Sequence, residues 1–476
     1  MSNLKKFSKE TFLYGFFTAL SKSIGFLLIP LYTRMLSPND LGIYAVITSL
    51  ILLFQVVATF AMDNSTARWF YETEDVQDRK YTINTWIWTY LALSALILIL
   101  FYCFIGKIST LLFEKSEKDL IHFLNFVPFI FVAQGFNNLT TNVLRFERKA
   151  LKSVSINFTQ TVLVILFNLF FLLKLKLGLD GIFYSQIASV ILTLIISLIF
   201  IKKWMINPFE IPLLRIKELM RYSLPFFPAG LSQWILGFSS YLFLIKLMSG
   251  TDVGIYNVSN QIASIVLLVV FSFQQAWGPF ALSIYKEKDA TIFYNDVLII
   301  YVVLVGFLAL FVSCFSKEIV SFVAGKNYLT GSTTIFVLSF SYLIAGIINI
   351  ADIGNAIAKK SAPLGLALSI SSILNVLLAY FLIPKIGALG MAISTILAQI
   401  LTLVVTFYFS NKNYFIRYEV RKAATYLIVL FGVAYLINSI HSTINLLPIK
   451  LLVCISLSIL IVFLNRNRFL NLLKVK

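Results

Sequence analysis

The chain reads as an all-α polytopic membrane protein of about fourteen transmembrane helices: two six-helix lobes related as parallel repeats, plus two C-terminal helices. Three observations predict this. Hydrophobic residues make up 59% of the 476 residues and charged residues only 13%, about half the charge of a soluble domain. Apolar runs of about 20 residues, the length that crosses a bilayer, recur to the C-terminus. Two stretches of the first half return in the second at a nearly constant offset. A β-barrel would show shorter, alternating segments instead.

The predicted helices fall at about 10–34, 41–62, 83–105, 120–143, 152–174, 179–201, 221–247, 253–277, 292–315, 332–358, 362–383, 388–410, 422–440 and 446–464. The longest loops, about 63–82 and 202–220, are too short for a soluble domain. Lys5, Lys6 and Lys9 precede the first apolar stretch, which is too long for a signal-peptide core and reads as a retained helix. With the N-terminus inside, the inner segments carry 27 of the 39 lysines and arginines and the outer loops 11, and Lys22 lies within a helix. This asymmetry predicts cytoplasmic termini.

The repeat fixes the organisation. "RMLSPNDLGIY" (34–44) matches "KLMSGTDVGIY" (246–256), and "GLDGIFYSQIASVILTLIISLIF" (178–200) matches "GALGMAISTILAQILTLVVTFYF" (387–409). Corresponding helices are six apart, an even number, so both copies share one topology and are related by an axis along the membrane normal. The predicted division is 1–201 for the N-lobe, 202–220 for a cytoplasmic linker, 221–410 for the C-lobe, and 411–476 for the last two helices and a basic tail. The linker reads as an amphipathic surface helix interrupted by Pro208 and Pro212.

Composition also excludes functions. The net charge of +18 follows from basic residues flanking helices, and no nucleic-acid motif accompanies it. Cys103, Cys314 and Cys454 show no paired spacing, and His122 and His441 have no acidic or thiol cluster beside them. The sequence therefore predicts neither a disulfide framework nor a metal site. It shows no catalytic set, no phosphate-binding loop for ATP and no cofactor motif.

The informative residues are polar ones inside apolar helices. Lys22 has about eleven residues on either side, roughly 16 Å to each surface. A charge there costs at least about 2.5–3.5 kcal/mol unless protein or water receives it. Thr11, Gly15, Thr18, Lys22 and Gly25 share one small, polar face. That face suits a cavity admitting a large anion; the structural alternative is an ion pair with an acid such as Asp352. Gln134, Asn138, Thr141 and Arg145 form a second stripe, and Asn349, Asp352, Asn355 and Lys359 a third. An offset of 211 pairs Asn138 with Asn349 and Thr141 with Asp352. Matched stripes in both lobes favour a shared cavity, while inter-helix hydrogen bonds account for many single Asn and Gln residues. Three roles stay open for Asp352: coupling-cation ligand, charge balance for Lys22, or part of a polar network. Asp40 and Asp252 are expected to cap the helices that follow them. Arg34 and Lys246 occupy matched outer helix ends, where they snorkel to headgroups or rim the cavity.

The stretch "SKSIGFLLIPLYTRMLSPNDLGIYAV" (21–46), with its lysine, "IPLYTR" entry and "LSPNDLGIY" loop, closely resembles the opening of Wzx-type polysaccharide flippases. These belong to the multidrug/oligosaccharidyl-lipid/polysaccharide (MOP) exporter superfamily. The resemblance implies two six-helix bundles around a central cavity and alternating access in the bacterial cytoplasmic membrane. It also implies a task, not an enzyme reaction: moving an undecaprenyl-diphosphate-linked oligosaccharide repeat unit to the outer leaflet for surface polysaccharide biosynthesis. Membrane lipids and polysaccharide polymerase machinery are the implied partners. Lys22 would meet the diphosphate, with Arg34, Arg145 and Lys246 as further cations, and Asn138 and Asn349 would face the sugar. The alternative is a cation-coupled drug or small-molecule exporter of the same superfamily, in which mid-membrane acids rather than a lysine are expected.

Overall fold

The computed structural model describes residues 17, 20, 24–112, 120–207, 210–360, 362–440, 447–466 and 468. Every regular element among them is helical. Ten helices are long and apolar enough to cross a membrane by length and composition. One of these, Ala362–Asn413, merges two helices across non-helical Ile386 and Gly387. The shorter Ile24–Met35, with Val127–Phe146 and Phe227–Leu247, complete the expected series. Contacts divide the chain into two compact units, Met1–Gly254 and Ile255–Lys476.

The first unit contains α1 (Ile24–Met35), α2 (Pro38–Thr59), α3 (Met62–Glu72), α4 (Val76–Leu112), α5 (Leu120–Leu124), α6 (Val127–Phe146), α7 (Ala150–Asn168), α8 (Gly178–Ile201), α9 (Leu213–Ser223), α10 (Phe227–Leu247) and the first turn of α11 (Gly250–Ala263). Ser37 ends the turn after α1 and caps α2. Asp40 N–H donates to Ser37 Oγ at 3.2 Å, and Ser37 N–H donates to Asp40 Oδ2 at 3.0 Å. Serine is thus the cap and the expected Asp40 completes a capping box. The repeat keeps the serine cap: Asp252 N–H donates to Ser249 Oγ at 3.2 Å, and Ser249 Oγ to Asp252 Oδ2 at 2.6 Å.

The two capped starts meet each other. A β-carbon on Gly42 would overlap the Gly250 carbonyl, and one on Gly254 the Pro38 carbonyl. The repeat offset maps Gly42 onto Gly254 and Pro38 onto Gly250, so the crossing is reciprocal. Further along α2, Trp234 Nε1 donates to the Ser49 carbonyl at 3.0 Å and Ser49 Oγ to the Phe238 carbonyl at 2.8 Å. These bonds fasten α10 to α2 within this unit.

The segment 63–82, expected as a loop, is largely helical, because α3 and the lengthened start of α4 occupy it. In the linker, Pro212 does not interrupt a helix; it stands at the N-cap of α9, where its missing N–H costs nothing. Pro208 lies outside the described residues. Arg215 of α9 holds Asp78 of α4 at 2.5 Å, which anchors the amphipathic helix on its neighbour.

Glu147, after α6, has a side chain only 7% exposed and pairs with Lys149 at 3.0 Å and with Lys203. It also accepts from Trp204 Nε1 at 2.8 Å. Burial alone would raise its pKa, but the hydrogen bonds and charges of Lys203 and Lys149 hold it below the ordinary carboxylate value. A depressed folded pKa stabilises above the unfolded value and is lost as pH falls through the folded one. Glu147→Gln is expected to lower the stability of the solubilised protein near neutral pH by about 1–3 kcal/mol. Melting curves of variant and wild type should converge under acid conditions, below the ordinary carboxylate range.

The second unit holds the rest of α11, α12 (Ile265–Ile284), α13 (Ala290–Cys314), α14 (Ser316–Val323), α15 (Ser332–Ala351), α16 (Ile353–Ile357), α17 (Ala362–Asn413), α18 (Val420–Ser439) and α19 (Leu447–Leu464). Helices α13 and α15 form its core and are largely buried. Tyr301 of α13 fills the space left by Gly346 of α15. Helices expected as single runs are broken at Ser264, between α11 and α12, and at Asp352, between α15 and α16. The C-terminal Arg468 pairs with Asp296 at 2.8 Å and Glu419 at 2.5 Å. Its hydrogen bond and charge hold the Glu419 carboxyl below the ordinary value.

Candidate functional site

Lys22, the leading site residue from sequence, lies outside the described residues. The remaining candidates are placed within each unit.

In the first unit, Asn138 and Arg145 of the α6 stripe are exposed, Gln134 is half-buried and Thr141 is buried. Thr141 Oγ1 donates to the Asn137 carbonyl of its own helix at 2.8 Å. The residue that holds α6 in place is Asn137, 1% exposed. Its Nδ2 donates to Thr193 Oγ1 at 2.8 Å, and its Oδ1 accepts from Ser197 Oγ at 2.7 Å. Asn137 thus locks α6 onto α8, and Asn138, about 100° around the helix, is turned out of that contact. Adjacent asparagines differ in role: Asn137 is inter-helix glue and Asn138 is exposed.

Arg34 and Lys246 are exposed at the ends of α1 and α10. The crossing of Gly42 with the start of α11 puts these two ends on the same side of the unit. Arg145 sits in the last turn of α6. Tracing the hairpins from α1 through α2, α4 and α6 puts that turn at the opposite end, a helix length of about 30 Å away. The three cations do not form one cluster. Arg145 Nη1 reaches Asn142 at 3.5 Å in its own helix.

Asp63 lies in the first turn of α3. In the structure, α2 stops at left-handed Phe60 and Ala61, and Phe60 stacks on Phe227 at 4.9 Å. The break opens a cavity of about 300 Å³ lined by Thr59, Asp63, Asn64, Phe226 and Gln233, among others. A left-handed break between two non-glycine residues leaves little trace in sequence.

In the second unit, Asn349 is half-buried and its Nδ2 donates to the Ala345 carbonyl at 3.1 Å. Asp352 caps the break after α15 and accepts from Asn355 Nδ2 at 2.8 Å. Buried Asn355 accepts from Asn413 Nδ2 at 2.7 Å, and Lys360 Nζ donates to Asn413 Oδ1 at 2.8 Å. Of the three open roles for Asp352, the polar network is the one these contacts display. A cavity of about 510 Å³ beside it is lined by Lys359, Lys360, Lys412, Asn413 and Phe409, among others. Among the described residues, no group of histidine, cysteine and acidic side chains could hold a metal ion.

This architecture has known relatives. Residues 7–284 match the family model described as "Polysaccharide biosynthesis protein". Lsg locus protein 1 of Haemophilus influenzae is 22% identical over 299 residues, which cover 60% of this chain and 69% of that protein. The fold is similar to lipid II flippase MurJ in an inward closed conformation, with a TM-score of 0.75 and 16% identity, covering 96% of this chain and 99% of that one. It is also similar to an inward-facing multidrug resistance MATE family transporter of the MOP superfamily, with a TM-score of 0.64 and 14% identity, covering 85% and 95% of the two chains. The family match over more than half of the chain leads to one conclusion: the chain belongs to the polysaccharide biosynthesis protein family.

Proposed function

We propose that the chain translocates an undecaprenyl-diphosphate-linked oligosaccharide repeat unit from the cytoplasmic to the outer leaflet of a bacterial cytoplasmic membrane. It does so by alternating access, with both termini in the cytoplasm and with lobes that follow the sequence repeat. The observation that carries this reading is Lys22, a cation at the middle of an apolar stretch of sequence long enough to cross a membrane. A diphosphate repays the cost of holding it there through charge-assisted hydrogen bonds.

Arg145 lies at the opposite end of the first unit from Arg34 and Lys246. We assign them to successive positions of one anionic headgroup: Arg145 at cytoplasmic entry, Lys22 at mid-crossing, Arg34 and Lys246 at release. Asn138 and Asn349 offer amide donors and acceptors to the sugar. Asp352 accepts from Asn355, which fits a place in a polar network. The growing polysaccharide's polymerase would receive the product.

Deleting the gene tests the reading. The lipid-linked saccharide should accumulate on the cytoplasmic face, and surface glycan should fall. Normal surface glycan together with lost resistance to organic cations would favour the exporter instead.

A further inference from the structure

The last helix, α19, touches the second unit along one narrow stripe. Its buried residues are Lys450, Cys454 and Ile461, which share a helical face. Lys450 Nζ donates to Glu318 Oε1 at 2.6 Å and lies 5.9 Å from the centre of the Phe315 ring. Phe315 directly follows Cys314, the last residue of α13. One turn along α19 from Lys450, buried Cys454 therefore faces the end of α13, where buried Cys314 lies. Cys314 is 1% exposed and Cys454 7%. The remaining cysteine, Cys103, is exposed on α4 in the first unit. The flippase reading uses none of these residues, and their separation in sequence hid the pair.

We propose that Cys314 and Cys454 are a peroxide-oxidisable thiol pair whose disulfide fastens α19 to α13. Hydrogen peroxide is small and uncharged, so it reaches a site that a protein oxidant cannot. The less enclosed Cys454 sulfur attacks one peroxide oxygen. The O–O bond breaks, the departing hydroxide takes the thiol proton as water, and Cys454 becomes a sulfenic acid. The Cys314 sulfur then displaces the sulfenic hydroxyl. The S–S bond forms, the S–O bond breaks, and the hydroxide leaves as water with the Cys314 proton. In total, two thiols and one peroxide give one disulfide and two waters. The bond restrains a helix whose other faces are largely exposed, and it closes the long loop between α13 and α19 in the unfolded chain.

The test uses the full chain carrying Cys103→Ser, kept in native membranes, treated with peroxide, then denatured and labelled with a polymer-tagged maleimide. The expected result is no label after peroxide, two labels when dithiothreitol follows it, and a higher melting temperature for the oxidised monomer than for the reduced one. Two labels persisting after peroxide would overturn the proposal. So would label loss that dithiothreitol does not reverse, or a reducible dimer in place of an internal bridge. An unchanged melting temperature would remove the fastening role.

Discussion

Lys22→Ala should abolish complementation of a deletion strain, while Lys22→Arg restores surface glycan. The sequence expects this cation roughly 16 Å from either surface, beyond the reach of a snorkelling side chain, where it stays only if something receives it. If a diphosphate does so during crossing, alanine removes a charge-assisted hydrogen bond worth about 1.5–3 kcal/mol, a fall in transport of roughly 10- to 100-fold. Arginine keeps the charge and offers a planar fork to phosphate. A lysine that only balanced an internal acid gives a different pattern. Alanine would then complement once expression is matched, and removing the acid would restore any lost stability.

Gly42→Ala and Gly254→Ala should each destabilise the protein by about 1–3 kcal/mol, the cost of overpacking a close contact. Each new methyl group would overlap a backbone carbonyl, Gly250 for the first and Pro38 for the second. Backbone cannot rotate aside as a flexible side chain does, so α2 and the start of α11 must separate. Because the two sites share one crossing, the double variant should cost less than the sum of the singles. Thermal melts of the solubilised variants measure both effects. A substitution such as Gly25→Ala is the control, since nothing lies within 4 Å of a β-carbon there. Unchanged melting of Gly42→Ala would show that the crossing is looser than described.

Lys22 and the paired glycines are both legible in the sequence. Helix number and order follow from the length of apolar runs, a signal set by the bilayer. The caps at Ser37 and Ser249 are local, so the repeated S-x-x-D spacing announced them, although the serine and not the aspartate is the cap. Breaks at Ser264 and at Asp352 were not legible, because packing and not local composition stops those helices. The face of α6 was half legible. Periodicity selected Asn138, but only the tertiary contact with Thr193 and Ser197 shows that its neighbour Asn137 is the structural residue. Spacing along one helix says nothing about which end of the fold a residue occupies, and so the sequence grouped Arg145 with Arg34 and Lys246. The proximity of Cys314 and Cys454 joins helices far apart in sequence and is visible only after folding.

The central claim is transbilayer movement of a diphosphate-linked saccharide. Its most direct test reconstitutes the purified chain into vesicles carrying a labelled undecaprenyl-diphosphate saccharide in one leaflet. A membrane-impermeant reagent then reads the saccharide's arrival in the other. The account predicts movement well above that of protein-free vesicles, sharply reduced by Lys22→Ala and retained by Lys22→Arg. A saccharide that stays in its leaflet while an organic cation crosses in the same vesicles would contradict it.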